Sequence, residues 1–562
     1  MRDRKSPLYI RAICGLFFYP RKDGQKMNRN ANLNELKNKK FDLLVLGGGI
    51  TGAGIALDAQ SRGLDTGLID MQDFAAGTSS RSTKLVHGGL RYLKQMQIGV
   101  VAEVGKERAI VYENAPHVTN PEWMLLPLIK GGTFGPFTTG IGLRVYDFLA
   151  GVKKSERRKM LSKEEAMKKE PLLVKDTLKG AGYYVEYKTD DARLTLEVAK
   201  KADELGATLA NYVKADDFIY ENGKVIGVKA VDVLSGEAFP IYAKEVVNAT
   251  GIWVDGLRKK DGSLSGKKLF HTKGVHLVFD QQDFPLQNAV YFDTPDKRMV
   301  FAIPRNGKTY LGTTDTKYEG DLVNPEMTEE DRDYLLKTVE LVFPTLSLSK
   351  DQIESHWAGV RPLIYEEGKK ESEISRKDEI FYSDTGLITI AGGKLTGYRK
   401  MAEKTVDVVA ERLGNNQSCQ TDHIILSGGE VGGSNGYQSF VEEQIKNGKA
   451  IGFTEQEAKR IVERYGSNVK QVFEIAKKAK GEHDKVNLSL EAYATLIYSL
   501  EEEMTKTPTD YFMRRTSAIL FNKQWAMKYS EAVVTFMSDY FAWDEQMTEK
   551  MRAELQEEMN KA

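Results

Sequence analysis

The sequence predicts a protein of mixed α/β and α+β class, with a Rossmann-like domain, an antiparallel-sheet domain and an all-helical C-terminal domain. A glycine-rich turn follows the short apolar run Phe41–Leu46 and precedes a helical segment, as in the first βαβ unit of a Rossmann-like fold. From Val275 to Gly312 apolar and polar residues alternate, which predicts strands. Residues 436–562 lack that alternation and are rich in Glu, Lys, Ala and Leu, which predicts a helical domain.

The glycine-rich turn, Gly47–Gly52, has the spacing G-x-G-x-x-G. A helix over Ile50–Arg62 and a strand over Thr66–Asp70 are predicted to complete the βαβ unit. The N-terminus of that helix offers free N–H groups and the positive end of a dipole to phosphate groups. The motif and its context therefore predict a dinucleotide site.

Each glycine of the motif has a separate role. Gly47 permits the tight turn, Gly49 lets the backbone approach a pyrophosphate, and Gly52 lets helix and strand pack closely. Asp70, at the end of the second strand, can accept a hydrogen bond from a ribose 2′-OH. This fingerprint alone does not distinguish NAD from FAD.

Two later segments favour a flavin. Asn248–Gly251 ends a strand and can bring backbone back to the same nucleotide. Ala391–Gly397 precedes a helix over Tyr398–Leu413, and a helix N-terminus aimed at the N1/C2=O edge would stabilise a reduced flavin ring. FAD is therefore the predicted cofactor.

Composition excludes several classes of protein. The two cysteines, Cys14 and Cys419, are too few for a disulfide scaffold or a cysteine-rich zinc or iron–sulfur site, and fit a reducing cytosol. Lys and Arg number 80, as do Asp and Glu, so nucleic-acid binding has no electrostatic support. The chain has no continuous apolar run of about 18 residues, and its histidines lack metal-ligand spacing. We predict no membrane-spanning helix and no metal site.

The domain boundaries follow from these patterns. Residues 1–40 hold 11 Lys and Arg against 3 Asp and Glu, and they are predicted to be a disordered basic extension. The alternative is a basic, aromatic patch that touches anionic lipid. The remaining segments are a discontinuous dinucleotide domain (41–110, 190–260 and 355–414), a substrate domain (111–189 and 261–354) and a helical cap (415–562).

Four stretches together resemble one family. They are Gly77–Leu93, Ile303–Asp315, Trp357–Leu363 and Gly392–Thr396. The resemblance is to the FAD-dependent glycerol-3-phosphate dehydrogenases, runs from about residue 41 to residue 550, and is strongest to the bacterial aerobic group. It implies a D-amino-acid-oxidase-like fold, non-covalent FAD, oxidation of sn-glycerol 3-phosphate to dihydroxyacetone phosphate, and electron transfer to a membrane quinone. A cytoplasmic enzyme bound peripherally to the membrane face follows, and homodimer formation stays open.

The resemblance also implies roles for individual residues. His276, Arg361 and Lys394 are the predicted catalytic residues, with His276 as the base or the partner of the hydroxyl group; which cation binds the phosphate stays open. The predicted substrate-binding residues are Arg91, Tyr92, His276, Arg361, Arg376 and Lys394. Besides the fingerprint residues, the predicted cofactor-binding residues are Thr78, Ser79, Ser80, Arg81, Lys84, Leu85, Val213, Gly251, Gly359, Gly393, Leu395 and Thr396. His87 is predicted to be structural or adjacent to the flavin.

Several alternatives stay open. The sister α-glycerophosphate oxidases share these motifs and deliver electrons to O2, producing H2O2, but they typically carry an insertion that is not obvious here. An amine or amino-acid oxidase is disfavoured because several cations suit a phosphate better. A non-catalytic flavin-binding scaffold would require inert cations. Arg514 and Arg515 are predicted to form an inter-domain salt bridge.

Overall fold

The computed structural model describes residues 27–87, 98–132, 135, 139–140, 142–144, 156–366, 377–479 and 481–562 of the 562-residue chain. The strands are, in chain order, β1 Lys40–Leu46, β2 Thr66–Ile69, β3 Leu85–Val86, β4 Thr119–Ile129, β5 Lys159–Leu161, β6 Leu178–Thr189, β7 Thr208–Ala210, β8 Val213–Glu221, β9 Lys224–Asp232, β10 Ala238–Asn248, β11 Lys267–Asp280, β12 Ala289–Asp293, β13 Met299–Arg305, β14 Lys308–Gly312, β15 Thr316–Lys317, β16 Ile353–Glu366, β17 Asp378–Tyr382 and β18 Ile388–Gly392.

The α-helices are, in the same order, α1 Arg29–Asn38, α2 Ile50–Ser61, α3 Ile98–Asn114, α4 Lys163–Lys169, α5 Asp191–Glu204, α6 Val254–Lys260, α7 Glu329–Val342, α8 Tyr398–Leu413, α9 Gly433–Ile451, α10 Glu455–Tyr465, α11 Val469–Ala479, α12 Glu482–Lys485, α13 Leu490–Glu502, α14 Ala518–Phe521, α15 Lys523–Phe541 and α16 Glu545–Lys561.

The first sheet is the predicted Rossmann-like one. Its order is β17-β18-β10-β1-β2-β7, and β8 and β9 extend it from β10. β1 pairs in parallel with β2 and β10, and β10 pairs in parallel with β18. Helix α2, whose small residues are buried on most sides, packs against α5 and α8. The carboxyl ends of β1, β2, β10 and β18 therefore lie side by side at one edge, which is where parallel sheets bind ligands.

The second sheet has the order β15-β11-β14-β13-β12-β4-β6-β3, with β16 on β11 and β5 on β6. It is antiparallel as predicted, apart from the parallel pair β12 and β4. The segment 355–414 is predicted to belong to the dinucleotide domain. β16 lies at the start of that segment but pairs with β11 of the second sheet along its length, so the structure differs from the predicted domain boundary. Alternation within a strand predicts the strand but not its partner, so the sequence did not reveal this pairing.

The N-terminal extension needs a correction for residues 27–40. α1 begins after the N-cap Asn28, whose side chain accepts a hydrogen bond from Ala31 N. Leu33 and Leu36 are buried against the β8–β10 side of the first sheet. Arg29 binds Asp232 through Nη2 and Oδ1 at 2.5 Å. These partners lie far along the chain, so local composition did not predict them; residues 1–26 lie outside the described residues.

The C-terminal domain is helical, as predicted. α9 to α16 follow one another, and no strand occurs in the described part of residues 415–562. The described helices include none that is both long and apolar enough to span a bilayer.

The predicted inter-domain salt bridge is present and buried. Arg515 donates from Nη1 and Nη2 to the two carboxylate oxygens of Asp73, at 2.5 and 2.9 Å, and Arg514 Nε donates to Asp73 Oδ2 at 2.6 Å. Burial acts to raise the pKa of Asp73, but Arg515 and Arg514 outweigh it and lower that pKa to about 2. The loop after β2 is therefore tied to the C-terminal domain by an ionised carboxylate.

A second acid continues this network. Glu503 receives hydrogen bonds from both terminal nitrogens of Arg193 in α5, and from Lys200 Nζ at 3.3 Å. Burial opposes ionisation of Glu503, but Arg193 and Lys200 lower its pKa to about 2. The C-terminal domain is thus joined to two separate elements of the first domain.

Asp73→Asn is expected to lower the free energy of unfolding by about 3–5 kcal/mol, because it leaves buried arginine charge uncompensated. Thermal and urea unfolding of the holoprotein measure the change. Glu455→Gln is the control, because the Lys449–Glu455 pair is exposed and such pairs contribute about 0–1 kcal/mol.

The same pair predicts an acid dependence. A lowered carboxyl pKa stabilises the fold above the ordinary value of 3.8, and this stabilisation is lost as pH falls towards about 2. Wild-type stability should fall over that range more steeply than that of Asp73→Asn. Equal slopes would contradict the role of Asp73.

Candidate functional site

A cavity of about 630 Å³ lies where the strand ends of the first sheet meet one face of the second. Its lining includes the turn after β1, the end of β2, the start of β8, and the segments that follow β10 and β18. From the second sheet it includes residues of β11, β13 and β16. We call this cavity the groove.

The glycine-rich turn forms one wall of the groove. Gly47 has φ +110°, and a Cβ there would lie 2.6 Å from Ala249 O, beyond the end of β10. A Cβ at Gly52 would overlap the carbonyl oxygen of Gly47. Gly49 precedes α2 without a side-chain cap. The glycines therefore allow close packing of the turn, and Gly47 and Gly49 line the groove while Gly52 lies behind it.

Asp70 reaches the groove from the end of β2. Its Oδ2 accepts a hydrogen bond from Gly48 N at 2.6 Å, and its Oδ1 accepts one from Gln72 N at 2.8 Å. Burial raises the pKa of Asp70 to about 7 in spite of these two bonds. The carboxylate is fixed by backbone on one side and has acceptor capacity left for a hydroxyl group.

The loop Gly77–Ser80 lies against the N-terminus of α2. Ser79 Oγ accepts a hydrogen bond from Ile50 N at 2.9 Å. Thr78 Oγ1 donates to Val360 O at 2.8 Å and so connects the loop to β16. Ser80 is buried behind this wall, whereas Thr78 and Ser79 line the groove.

Lys84 lies behind the groove wall. Its Nζ donates to Asp191 Oδ1 at 2.6 Å and to Ser80 O at 2.9 Å, and the side chain is buried. Leu85, the next residue, does line the groove. The ammonium of Lys84 thus holds the loop to α5, a position that sequence reasoning did not predict.

The segment after β18 forms the opposite wall. Residues 395–397 make one tight turn and lead directly into α8, so the N-terminus of this helix faces the groove as predicted. Thr396 Oγ1 donates to His87 O at 3.1 Å and accepts from His87 N at 3.0 Å. Lys394 lines the same wall. Burial, and then the charge of Lys394, lower the pKa of His87 well below 6.5, which keeps that ring neutral.

His276 lies within β11 and is 1% exposed. Nε2 lies 3.0 Å from Thr83 Oγ1. The ring stacks on Trp357 of β16, with centroids 4.6 Å apart. Burial, and then the charges of Arg361 and Lys84, lower the pKa of His276 well below 6.5. The imidazole is therefore neutral near pH 7 and able to accept a proton.

Arg361 of β16 reaches over β11 into the groove. Its Nη2 donates to Thr313 Oγ1 at 3.0 Å, and its Nη1 lies 3.3 Å from Asp315 Oδ1. Gly274, on the neighbouring strand, makes room for the guanidinium, because a Cβ there would overlap Arg361 Nη2. The cation is thus fixed by hydroxyl and carboxylate groups beside His276.

Most predicted site residues meet in this groove. Those that line it are Gly47, Gly49, Asp70, Thr78, Ser79, Arg81, Leu85, Val213, Gly251, His276, Gly359, Arg361, Gly393, Lys394, Leu395 and Thr396. Arg91, Tyr92 and Arg376 lie outside the described residues. Sequence reasoning assigned no role to Thr83, Gly274 or Thr313, although Thr83 and Thr313 fall within stretches that carry the family resemblance.

The groove fits a flavin dinucleotide. Helices α2 and α8 both begin at its walls. Glycines such as Gly49, Gly251 and Gly359 line it and leave room for a ligand because they have no side chain. Helix N-termini favour the pyrophosphate and the electron-rich edge of a flavin ring. The described residues include no cluster of His, Cys, Asp and Glu able to hold a metal ion.

Comparisons with known proteins agree with this fit. The family model of FAD dependent oxidoreductases matches residues 42–399, and that of the C-terminal domain of alpha-glycerophosphate oxidase matches residues 419–548. The aerobic glycerol-3-phosphate dehydrogenase of Bacillus subtilis is 61% identical over 529 residues, covering 93% of this chain and 95% of its own. That of Staphylococcus epidermidis is 54% identical over 543 residues, covering 95% and 97%.

Solved structures give the same picture. The glycerol-3-phosphate dehydrogenase of Bacillus halodurans, complexed with FAD, has a TM-score of 0.84 at 50% identity, covering 95% of this chain and 97% of its own. The L-alpha-glycerophosphate oxidase of Mycoplasma pneumoniae has a TM-score of 0.55 at 17% identity, covering 66% and 95%. The second likeness indicates a shared fold alone.

Gly52→Ala is expected to lower the midpoint of thermal unfolding by several degrees, because its Cβ overlaps the Gly47 carbonyl under the turn. Alanine otherwise favours a helix over glycine by about 1 kcal/mol. Gly99→Ala in α3 is the matched control, since a Cβ there meets no atom within 4 Å. Differential scanning calorimetry compares the two; equal midpoints would contradict the packing role of Gly52.

Proposed function

Because this chain belongs to the family of FAD-dependent glycerol-3-phosphate dehydrogenases, with FAD held non-covalently, we propose that it oxidises sn-glycerol 3-phosphate to dihydroxyacetone phosphate. One observation carries the proposal: Arg361, Lys394 and the neutral His276 line the same groove as the dinucleotide fingerprint. This set matches the needs of a phosphorylated secondary alcohol.

The two cations serve the phosphate. Arg361 presents a planar guanidinium that can donate two parallel hydrogen bonds to phosphate oxygens, and Lys394 adds a second positive charge. Arg91 and Arg376 are proposed to join them, with Tyr92 as a hydroxyl donor. In this arrangement the cations bind the phosphate group of the substrate, and His276 contacts its hydroxyl group.

His276 serves the hydroxyl group. Burial lowers its pKa and keeps the free imidazole neutral, so a ring nitrogen is available to take the proton of the C2 hydroxyl as the hydride leaves. FAD supplies the two-electron acceptor that takes the hydride from C2. The walls that start α2 and α8 are proposed to hold the pyrophosphate and the flavin ring, with Asp70 on the ribose.

The acceptor of the electrons is proposed to be a membrane quinone, met by a cytoplasmic protein bound peripherally to the inner face of the membrane. The level of identity to the aerobic dehydrogenases over nearly the whole chain supports this choice. The match of residues 419–548 to an alpha-glycerophosphate oxidase domain favours O2, with H2O2 as product, as the second candidate.

An anaerobic titration of the holoprotein with sn-glycerol 3-phosphate tests the reaction. Bleaching of the flavin absorbance is expected, and a flavin that stays oxidised would overturn the substrate assignment. Reoxidation is then followed with a soluble quinone in one sample and with air in another. Rapid reoxidation by air with stoichiometric H2O2 would favour the oxidase over the dehydrogenase.

Arg361→Gln is expected to lower kcat/KM for sn-glycerol 3-phosphate about 10–150-fold. This change corresponds to the loss of one charge-assisted hydrogen bond, which contributes about 1.5–3 kcal/mol. Steady-state rates with a dye acceptor measure the change. Arg552→Gln is the control, because Arg552 pairs with Glu531 and Glu549 on the C-terminal helices. If both variants keep wild-type kcat/KM, Arg361 does not bind the substrate.

Gly274→Ala tests the placement of Arg361 without removing its charge. The new Cβ would overlap Arg361 Nη2 and Thr313 Oγ1, and a displacement near 1 Å can cost about 10²-fold in rate. Gly99→Ala is the control, because a Cβ there meets no atom within 4 Å and Gly99 is not part of the groove lining. Similar rates for the two variants would refute the positional argument.

A further inference from the structure

Thr83 and His276 lie side by side in the lining of the groove. Thr83 is half-buried, whereas His276 is 1% exposed. Its Oγ1 is 3.0 Å from His276 Nε2. The threonine hydroxyl, at the more exposed of the two residues, is therefore next to the ring nitrogen.

The His276 ring is held in place on both sides. Trp357 stacks on it with an angle of 7° between the rings. Gly312 of β14 lies so close that a Cβ there would overlap the imidazole. Nδ1 is buried and has no hydrogen-bond partner among the described residues. Nε2 is thus the ring nitrogen that has a hydrogen-bond partner, and that partner is Thr83.

The backbone around Thr83 is also fixed. Tyr310 OH donates to Thr83 O at 3.1 Å, and Trp357 Nε1 donates to Ser82 O at 3.1 Å. Asp191 Oδ2 accepts from Ser82 N at 3.0 Å and from Ser82 Oγ at 2.7 Å. With β-branching restricting χ1, the hydroxyl of Thr83 is a preorganised group.

We propose that Thr83 is a catalytic residue that relays the substrate's hydroxyl proton to His276. A hydroxyl can accept one hydrogen bond while it donates another, which is what a relay needs. As the C2–H hydride leaves to FAD, the O–H bond of the C2 hydroxyl breaks and its proton passes to Thr83 Oγ1. The proton of Thr83 passes to His276 Nε2, and the C2=O bond forms. This inference rests on the proposed function.

Thr83→Val and Thr83→Ser in the full-length holoprotein test the relay. Valine keeps the shape of threonine without its hydroxyl, so the rate of anaerobic flavin reduction should fall about 10²–10⁴-fold, with KM changed less than about threefold. Serine restores the hydroxyl, so its rate should stay within about tenfold of wild type. A valine variant as fast as wild type, or a serine variant as slow as valine, would overturn the proposal.

A second measurement tests whether the hydrogen bond on which the relay depends exists in solution. The chain has seven histidines, so ¹⁵N-histidine labelling gives a small set of ring signals. In Thr83→Val the Nε2 signal of His276 should move while the other ring signals stay. An unmoved signal would show that the bond does not exist in solution and would overturn the proposal.

A proton inventory on the wild type completes the test. Reduction rates in H2O–D2O mixtures should follow a curved dependence, because two protons move together, and a linear dependence would overturn the relay. If sn-glycerol 3-phosphate does not reduce the wild-type flavin, the proposed function fails and the relay fails with it. If the wild type is reduced and Thr83→Val is reduced equally fast, the relay alone fails.

Discussion

The carboxylate of Asp73 joins the helical C-terminal domain to the loop after β2 of the first sheet. It accepts hydrogen bonds from Arg514, Arg515 and Asn211, and it is fully buried. A buried charge is costly when it lacks its partner, so the loss of one charged group from this cluster destabilises the fold. Asp73 lies between Asp70 and the loop Gly77–Ser80, so the helical domain holds a segment that lines the groove.

The groove is shared by two sheets with different tasks. The first sheet contributes strand ends and helix N-termini, which suit phosphates and the electron-rich edge of a ring. The second sheet contributes side chains of strand residues: His276 lies between β14 and β16, and Arg361 of β16 lies opposite Thr272 of β11. The groove thus combines strand residues with loop residues such as Thr83 and Lys394.

Local signals predicted part of this architecture well. The strand predicted over Phe41–Leu46 is observed over Lys40–Leu46, and the helix predicted from Ile50 begins there, because period and glycine spacing are local properties. α1 and the partner of β16 were not predicted, because both depend on distant contacts such as the Arg29–Asp232 pair. The ammonium of Lys84 pairs with Asp191, 107 residues away, and this distant contact was not predicted either.

The position of β11 between β14 and β16 limits which changes in sequence length this enzyme can tolerate. His276 faces Gly312 on one side and Trp357 on the other, so its orientation is a property of the sheet's register. One residue inserted or deleted before it would rotate the histidine and Gly274 to the opposite face. New substrate preferences are therefore expected to arise by changes in the segments around the sheet, while the length of β11 stays fixed through evolution.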